Sequence, residues 1–82
     1  MREMTMLFLI WYDDTPKRAP AEKIRQGCAR YMERYDVAPN VVLVNEVDLC
    51  AVSGVEVRPL ARIRPNNFHI GVDQGAPDAP PR

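Results

Sequence analysis

With 82 residues the chain has room for one domain and not two, and a domain of that size buries only roughly 60–65% of the surface its unfolded chain exposes. Hydrophobic residues at 46% and charged residues at 27% exclude wholesale disorder. Lysine plus arginine and aspartate plus glutamate each number 11, so the formal net charge is +0 and the basic excess of a dedicated nucleic-acid binder is missing.

The first element spans residues 4–12, MTMLFLIWY, and is apolar on both of its alternating faces. That is the pattern of a strand at the buried centre of a sheet, covered on each side. Asp13, Asp14, Thr15 and Pro16 then end it with turn formers. The run is too short to cross a membrane and lacks a small-residue cleavage site, and no other stretch approaches the ~20 apolar residues of a span. With only Cys28 and Cys50 able to pair, the expectation is a cytoplasmic chain with reduced thiols and no membrane association.

A helix is expected from Pro20, whose missing N–H suits the first turn, with Glu22 placed well for the helix dipole. Ala21, Ile24, Cys28, Tyr31, Met32 and Tyr35 recur at helical spacing as one apolar stripe. Lys23, Gln26, Arg30, Glu33 and Arg34 lie around the other side. Gly27 costs about 1 kcal/mol relative to alanine in a helix interior, which marks either close approach to the sheet or an accident. The helix stops within residues 36–39, ahead of Pro39.

Val41-Val42-Leu43-Val44 is the second strand, and strand–helix–strand predicts a right-handed crossover with the two strands parallel. Ser53-Gly54 closes the next loop. Residues 55–63 alternate, and Pro59 assigns them to an edge or a bulge. Arg64-Pro65-Asn66-Asn67 reads as a turn, with asparagine tolerating left-handed geometry. Phe68, Ile70 and Val72 then alternate with His69 and Gly71, which predicts a hairpin pairing Ile63 with Phe68 and setting Arg62 opposite His69. Residues 75–82 have no periodicity and are expected to form a disordered tail after a single domain at 1–74. The expected fold class is α/β (α+β), β-α-β-β-β, with one helix on a small mixed sheet and a C-terminal hairpin.

One helix covers one face of a sheet, yet both faces of the first strand are large and apolar. Leu7, Leu9 and Trp11 alternate with Met6, Phe8, Ile10 and Tyr12. The surplus predicts an interface, most simply a homodimer packed sheet to sheet, with Leu7, Leu9 and Trp11 as its candidate residues. Cover by residues 49–54 is the alternative.

In a parallel strand–helix–strand unit both strand C-terminal ends lie on one side, where ligands usually bind. Here those ends carry Asp13, Asp14, Asn45, Glu46 and Asp48, a candidate Mg²⁺ or ligand cluster, with Lys17 and Arg18 as candidate phosphate contacts. The plainer reading is that aspartate and asparagine satisfy turn N–H groups at strand ends. Arg58, Arg62 and Arg64 share one face of the third strand and are further candidate phosphate contacts, with Tyr31, Tyr35 or Phe68 available for stacking. The plainer reading of that row is charge that keeps an edge strand from aggregating. His69 is the sole histidine and Ser53 the sole serine, so no acid–base or nucleophile arrangement is supported. Cys28 belongs to the core stripe and Cys50 to a loop; zinc lacks its ligand spacing.

Tyr12-Asp13, then Asp14, Lys17, Arg18 and a helix, resembles the start of Cas2-type small CRISPR proteins, which are ferredoxin-like dimers with an acidic residue ending strand one. The likeness covers the first third of the chain, and the second helix of that pattern is replaced by residues 55–72, so no nuclease site is carried over. Through Tyr12-Asp13-Asp14, Pro39-Asn40, Leu43-Val44-Asn45, Gly54-Val55-Glu56-Val57 and Asn66-Asn67-Phe68, the whole chain is similar to short bacterial proteins of unknown function. That resemblance implies a bacterial origin and no activity. The expectation is therefore a non-enzymatic interaction domain without a cofactor, either a homodimer or a partner-binding subunit. The alternative is a Mg²⁺-dependent or phosphate-binding domain acting on nucleic acid through Asp13, Asp14, Glu46 and Asp48.

Overall fold

The computed structural model describes residues 8–73; Leu7 and the expected tail at 75–82 lie outside them. The elements run β1 (Phe8–Tyr12), α1 (Pro20–Tyr35), β2 (Val41–Val44), a single 3₁₀ turn (Glu46–Asp48), β3 (Glu56–Pro59) and β4 (Asn67–Gly71). Pro20 opens α1, and Asp36 closes it in left-handed geometry (φ 59°) while its N–H donates to the Met32 carbonyl. Ala19 precedes the helix in extended geometry without a side-chain cap. The result is an α+β fold in which one helix packs on a four-stranded mixed sheet.

Strand order is β1-β4-β2-β3. β4 runs antiparallel to both β1 and β2, so those two strands are parallel to each other with β4 between them. β3 pairs parallel with β2, Val42 beside Val57. Two expectations are corrected here. β1 is an edge strand and not the centre of the sheet, and β3 and β4 do not form a hairpin. The chain leaves β3 after Pro59, crosses the end of β2, where the Leu60 N–H donates to the Val44 carbonyl at 2.8 Å, and inserts β4 as the inner strand. Buried positions explain the choice. Phe68 and Ile70 are wholly buried and alternate with His69, so β4 suits an inner strand.

The core lies on the helix side. Ile24 and Tyr31 from α1 meet Val42, Val44, Phe68 and Ile70, with Leu9, Trp11 and Val57 packed around them. Gly27 is the point of closest approach: a Cβ there would stand 2.9 Å from the Trp11 ring and would collide with Ile70 Cδ1. The glycine therefore marks contact with the sheet. Cys50, Val52 and Val55 also pack against this core, so residues 49–54 border the helix side and do not cover the opposite face.

Candidate interaction surface

The acidic residues at the strand ends form a structural clamp. Because β4 intervenes, the ends of β1 and β2 lie two strand spacings apart, about 10 Å. Asn66, left-handed at φ 69°, is the hub of the turn between them. Its N–H donates to Asp48 Oδ2 at 2.8 Å, its carbonyl accepts from the Asp13 N–H at 3.0 Å, and its Oδ1 accepts from Lys23 Nζ at 3.1 Å. Asp13, Lys23 and Asp48 are accordingly only 8%, 5% and 6% exposed. Lys23 was expected on the open side of the helix; the carbonyl oxygen of Asn66's side chain draws it inward.

The carboxylates of Asp13 and Asp14 and the side chain of Asn45 are engaged as well, and Glu46 is exposed in the 3₁₀ turn. Asp13 accepts from the Thr15 N–H and from Arg18 at 3.0 Å. Bonds from Thr15, then Arg18, hold its carboxyl down to about 2 against the opposing effect of burial. Asp14 accepts from the Tyr12 hydroxyl, which raises the pKa of that phenol. Asn45 caps the 3₁₀ turn through the Val47 N–H and donates to the Ile63 carbonyl at 2.7 Å. Among the described residues no three acidic, cysteine or histidine side chains converge as a metal group, so the candidate Mg²⁺ cluster is not brought together.

Of the candidate phosphate contacts, Lys17 is exposed in the turn ahead of α1, and the four arginines separate into two kinds. Arg18 is bound to Asp13 and Gln26, and Arg58 is bound to Glu56 and Asp73, which raises its pKa further above that of a free guanidinium. Arg62 and Arg64 instead line a cavity of about 490 Å³ on the open side of the sheet. Tyr31 and Phe68, proposed for stacking, are 1% and 0% exposed and belong to the core. Burial raises the thiol pKa of both Cys28 and Cys50, which are free and only partly exposed.

The side of the sheet away from α1 is built by the complementary alternation. Across the strands run Phe8, Gly71, Val41 and Glu56, then Ile10, His69, Leu43 and Arg58, then Tyr12 beside Asn67. Leu60 and Ile63, from the crossing after β3, wall the cavity whose floor is Phe8, Leu43, His69 and Asn67. Ile10 and Tyr12 are each 60% exposed, an uncommon position for large apolar side chains on a sheet. Burial, and then the charge of Arg62, hold the His69 imidazole below its ordinary pKa of 6.5. The interface residues expected from sequence are corrected by one register step. Leu9 and Trp11 pack toward the helix, and the outward set is Phe8, Ile10 and Tyr12. The period of two was legible, but which phase met the helix depended on Gly27, whose role only packing reveals.

No family model matches the chain, and neither a curated protein nor a solved structure matches it significantly.

Proposed function

We propose that this chain is a non-enzymatic interaction domain that self-associates through its sheet, in the simplest case as a homodimer. One observation carries the reading: the only α-helix of the described residues lies on one side, and the other side presents exposed Ile10 and Tyr12 beside a cavity lined by Phe8 and Leu43. A partner that removes this apolar surface from water gains about 25 cal/mol per Å² buried. The catalytic alternative is weakened because Asp48 is engaged by the Asn66 N–H, Asp13 by Thr15 and Arg18, and Asp14 by Tyr12. Sedimentation velocity across a concentration series tests the proposal. A mass that rises to twice that of the chain by tens of micromolar is expected; a clean monomer throughout overturns it.

A second reading, a phosphate-bearing ligand, is favoured by Arg62 and Arg64, which meet no carboxylate among the described ion pairs and line a cavity with Asn67, His69 and apolar side chains. Titration with a fluorescent single-stranded oligonucleotide would show saturable anisotropy under this reading, and none without it.

A further inference from the structure

The two outer edges of the sheet differ in kind. β3 reads Glu-Val-Arg-Pro: two charges, and a proline that donates no ladder bond. These are the devices by which proteins stop an edge from pairing with another chain. β1 reads Phe-Leu-Ile-Trp-Tyr, with no charge, no proline and no glycine. Nothing in that strand discourages pairing.

Its backbone is also aimed outward in a regular way. The Asp13 N–H donates to the Asn66 carbonyl at 3.0 Å, just past the paired residues Tyr12 and Asn67. Hydrogen-bonded and non-bonded pairs alternate in an antiparallel ladder, so Trp11 and Leu9 exchange bonds with Phe68 and Ile70. The N–H and C=O groups of Phe8, Ile10 and Tyr12 therefore point away from β4, toward the edge that no other strand of the described residues pairs with. The residues with outward backbone groups are the same ones whose side chains stand on the open face.

We propose that β1 pairs antiparallel with β1 of a second copy about a two-fold axis at Ile10, joining two four-stranded sheets into one. The inference rests on the self-association proposed above and places its contact at the β1 edge, so Leu43 and the cavity of the open face stay uncovered in the pair. In that register Ile10 faces the partner's Ile10, and Phe8 faces the partner's Tyr12. Each is a hydrogen-bonded pair, so every outward N–H and C=O of the three residues finds a complement. On the open face, β-branched meets β-branched and ring meets ring, pairs that stabilise a sheet by roughly 0.2–1 kcal/mol each. On the helix side Leu9 lies opposite the partner's Trp11. No like charges meet, because β1 carries none. The antiparallel arrangement is also the one that a two-fold axis closes, leaving no open-ended polymer.

The chain's own remaining segments are poorer occupants. Residues 1–7, MREMTML, contain no glycine, proline, asparagine or aspartate with which to turn back tightly on Phe8. Residues 74–82, QGAPDAPPR, include three prolines that cannot donate to a ladder. A five-residue joint is small, so the complex belongs to the weak class of interfaces, those burying less than about 1,200 Å².

Amide hydrogen exchange by NMR on the intact chain, at low and high concentration, reads the geometry directly. The amides of Phe8, Ile10 and Tyr12 should gain at least tenfold protection at high concentration, while those of Leu9 and Trp11 stay protected at both. Two variants accompany it. Ile10→Pro removes one outward donor without touching the bonds to β4 and should be monomeric; Leu43→Lys alters the open face two strands away and should remain dimeric. A dimeric wild type lacking the alternating protection, or a monomeric Leu43→Lys beside a dimeric Ile10→Pro, overturns the edge joint while leaving self-association standing. A monomeric wild type removes both. Should Ile10→Pro fail to fold, the exchange pattern of the wild type decides alone.

Discussion

On the helix side of the sheet, Phe68, Ile70, Val42 and Val44 are fully withdrawn from water; on the other side Val41 and Gly71 are buried at one end, but His69 and Leu43 are only partly covered and Ile10 and Tyr12 are 60% exposed. The strands are common to both faces, so backbone pairing cannot account for the difference. The helix accounts for it: α1 seats Ile24, Gly27 and Tyr31 directly on one face. In a chain this small, one well-packed face supplies most of the hydrophobic stabilisation. The other face is then free to be shaped by what it binds.

Truncation should separate the faces most strongly. Phe68→Ala removes a wholly buried ring and should cost about 3–5 kcal/mol, enough to unfold a marginal domain. Leu43→Ala, on the same sheet but facing away from α1, should cost about 1 kcal/mol, because its surface is already partly wet. Urea denaturation of the two variants at low concentration checks this. Equal losses would mean that the open face is core in its own right, and the contrast between the faces would fail.

The contact between α1 and the sheet can be probed at a single atom. Gly27→Ala should gain about 1 kcal/mol of helix propensity but lose about 1–3 kcal/mol to crowding against Ile70 and Trp11, for a net loss. Ile70→Val deletes the Cδ1 that the new methyl would strike, at a cost of about 0.5–1.5 kcal/mol alone. The double variant should therefore be more stable than the sum of the two predicts, a coupling that a thermal-denaturation cycle measures. Strict additivity would move the crowding to the Trp11 ring.

These particulars show where sequence reading reaches and where it stops. Helix α1 was legible from Pro20 to Tyr35 because its stripe is local, and β2 was legible because four consecutive apolar residues need no partner to be recognised. The left-handed Asn66 followed from its turn chemistry. The position of β1 in the sheet is not legible in this way. An apolar strand at an unguarded edge carries the same pattern as one at the centre, and the insertion of β4 between β1 and β2 is a long-range pairing that no local pattern encodes. That insertion also decided the candidate site. It moved Asp13 and Asp48 apart and gave both of them, with Lys23, to the backbone and side chain of Asn66. Arg58, a candidate phosphate contact from sequence, has one local partner in Glu56 on its own strand, but Asp73 reaches it only once β4 is in place.

The smallest effect expected lies on the open face, at His69. Ile10 and Leu43 flank it across the strands and Arg62 stands near, so both burial and charge favour the neutral imidazole in the folded chain. Its folded pKa lies below 6.5, and in that window the unfolded chain binds more protons than the folded one. Stability is thus full above pH 6.5 and falls as pH drops through the folded value, where the loss levels off. This window is distinct from that of Asp13, whose contribution is present above 3.8 and disappears as pH falls through about 2. Arg62→Gln removes the lesser of the two causes, so an NMR titration of the single imidazole should show its pKa rising part of the way toward 6.5 and no further. Full recovery would make Arg62 the dominant influence and show that His69 is better hydrated than its place between Ile10 and Leu43 implies. No change would place the guanidinium outside the cavity, and with it the case for an anion bound there.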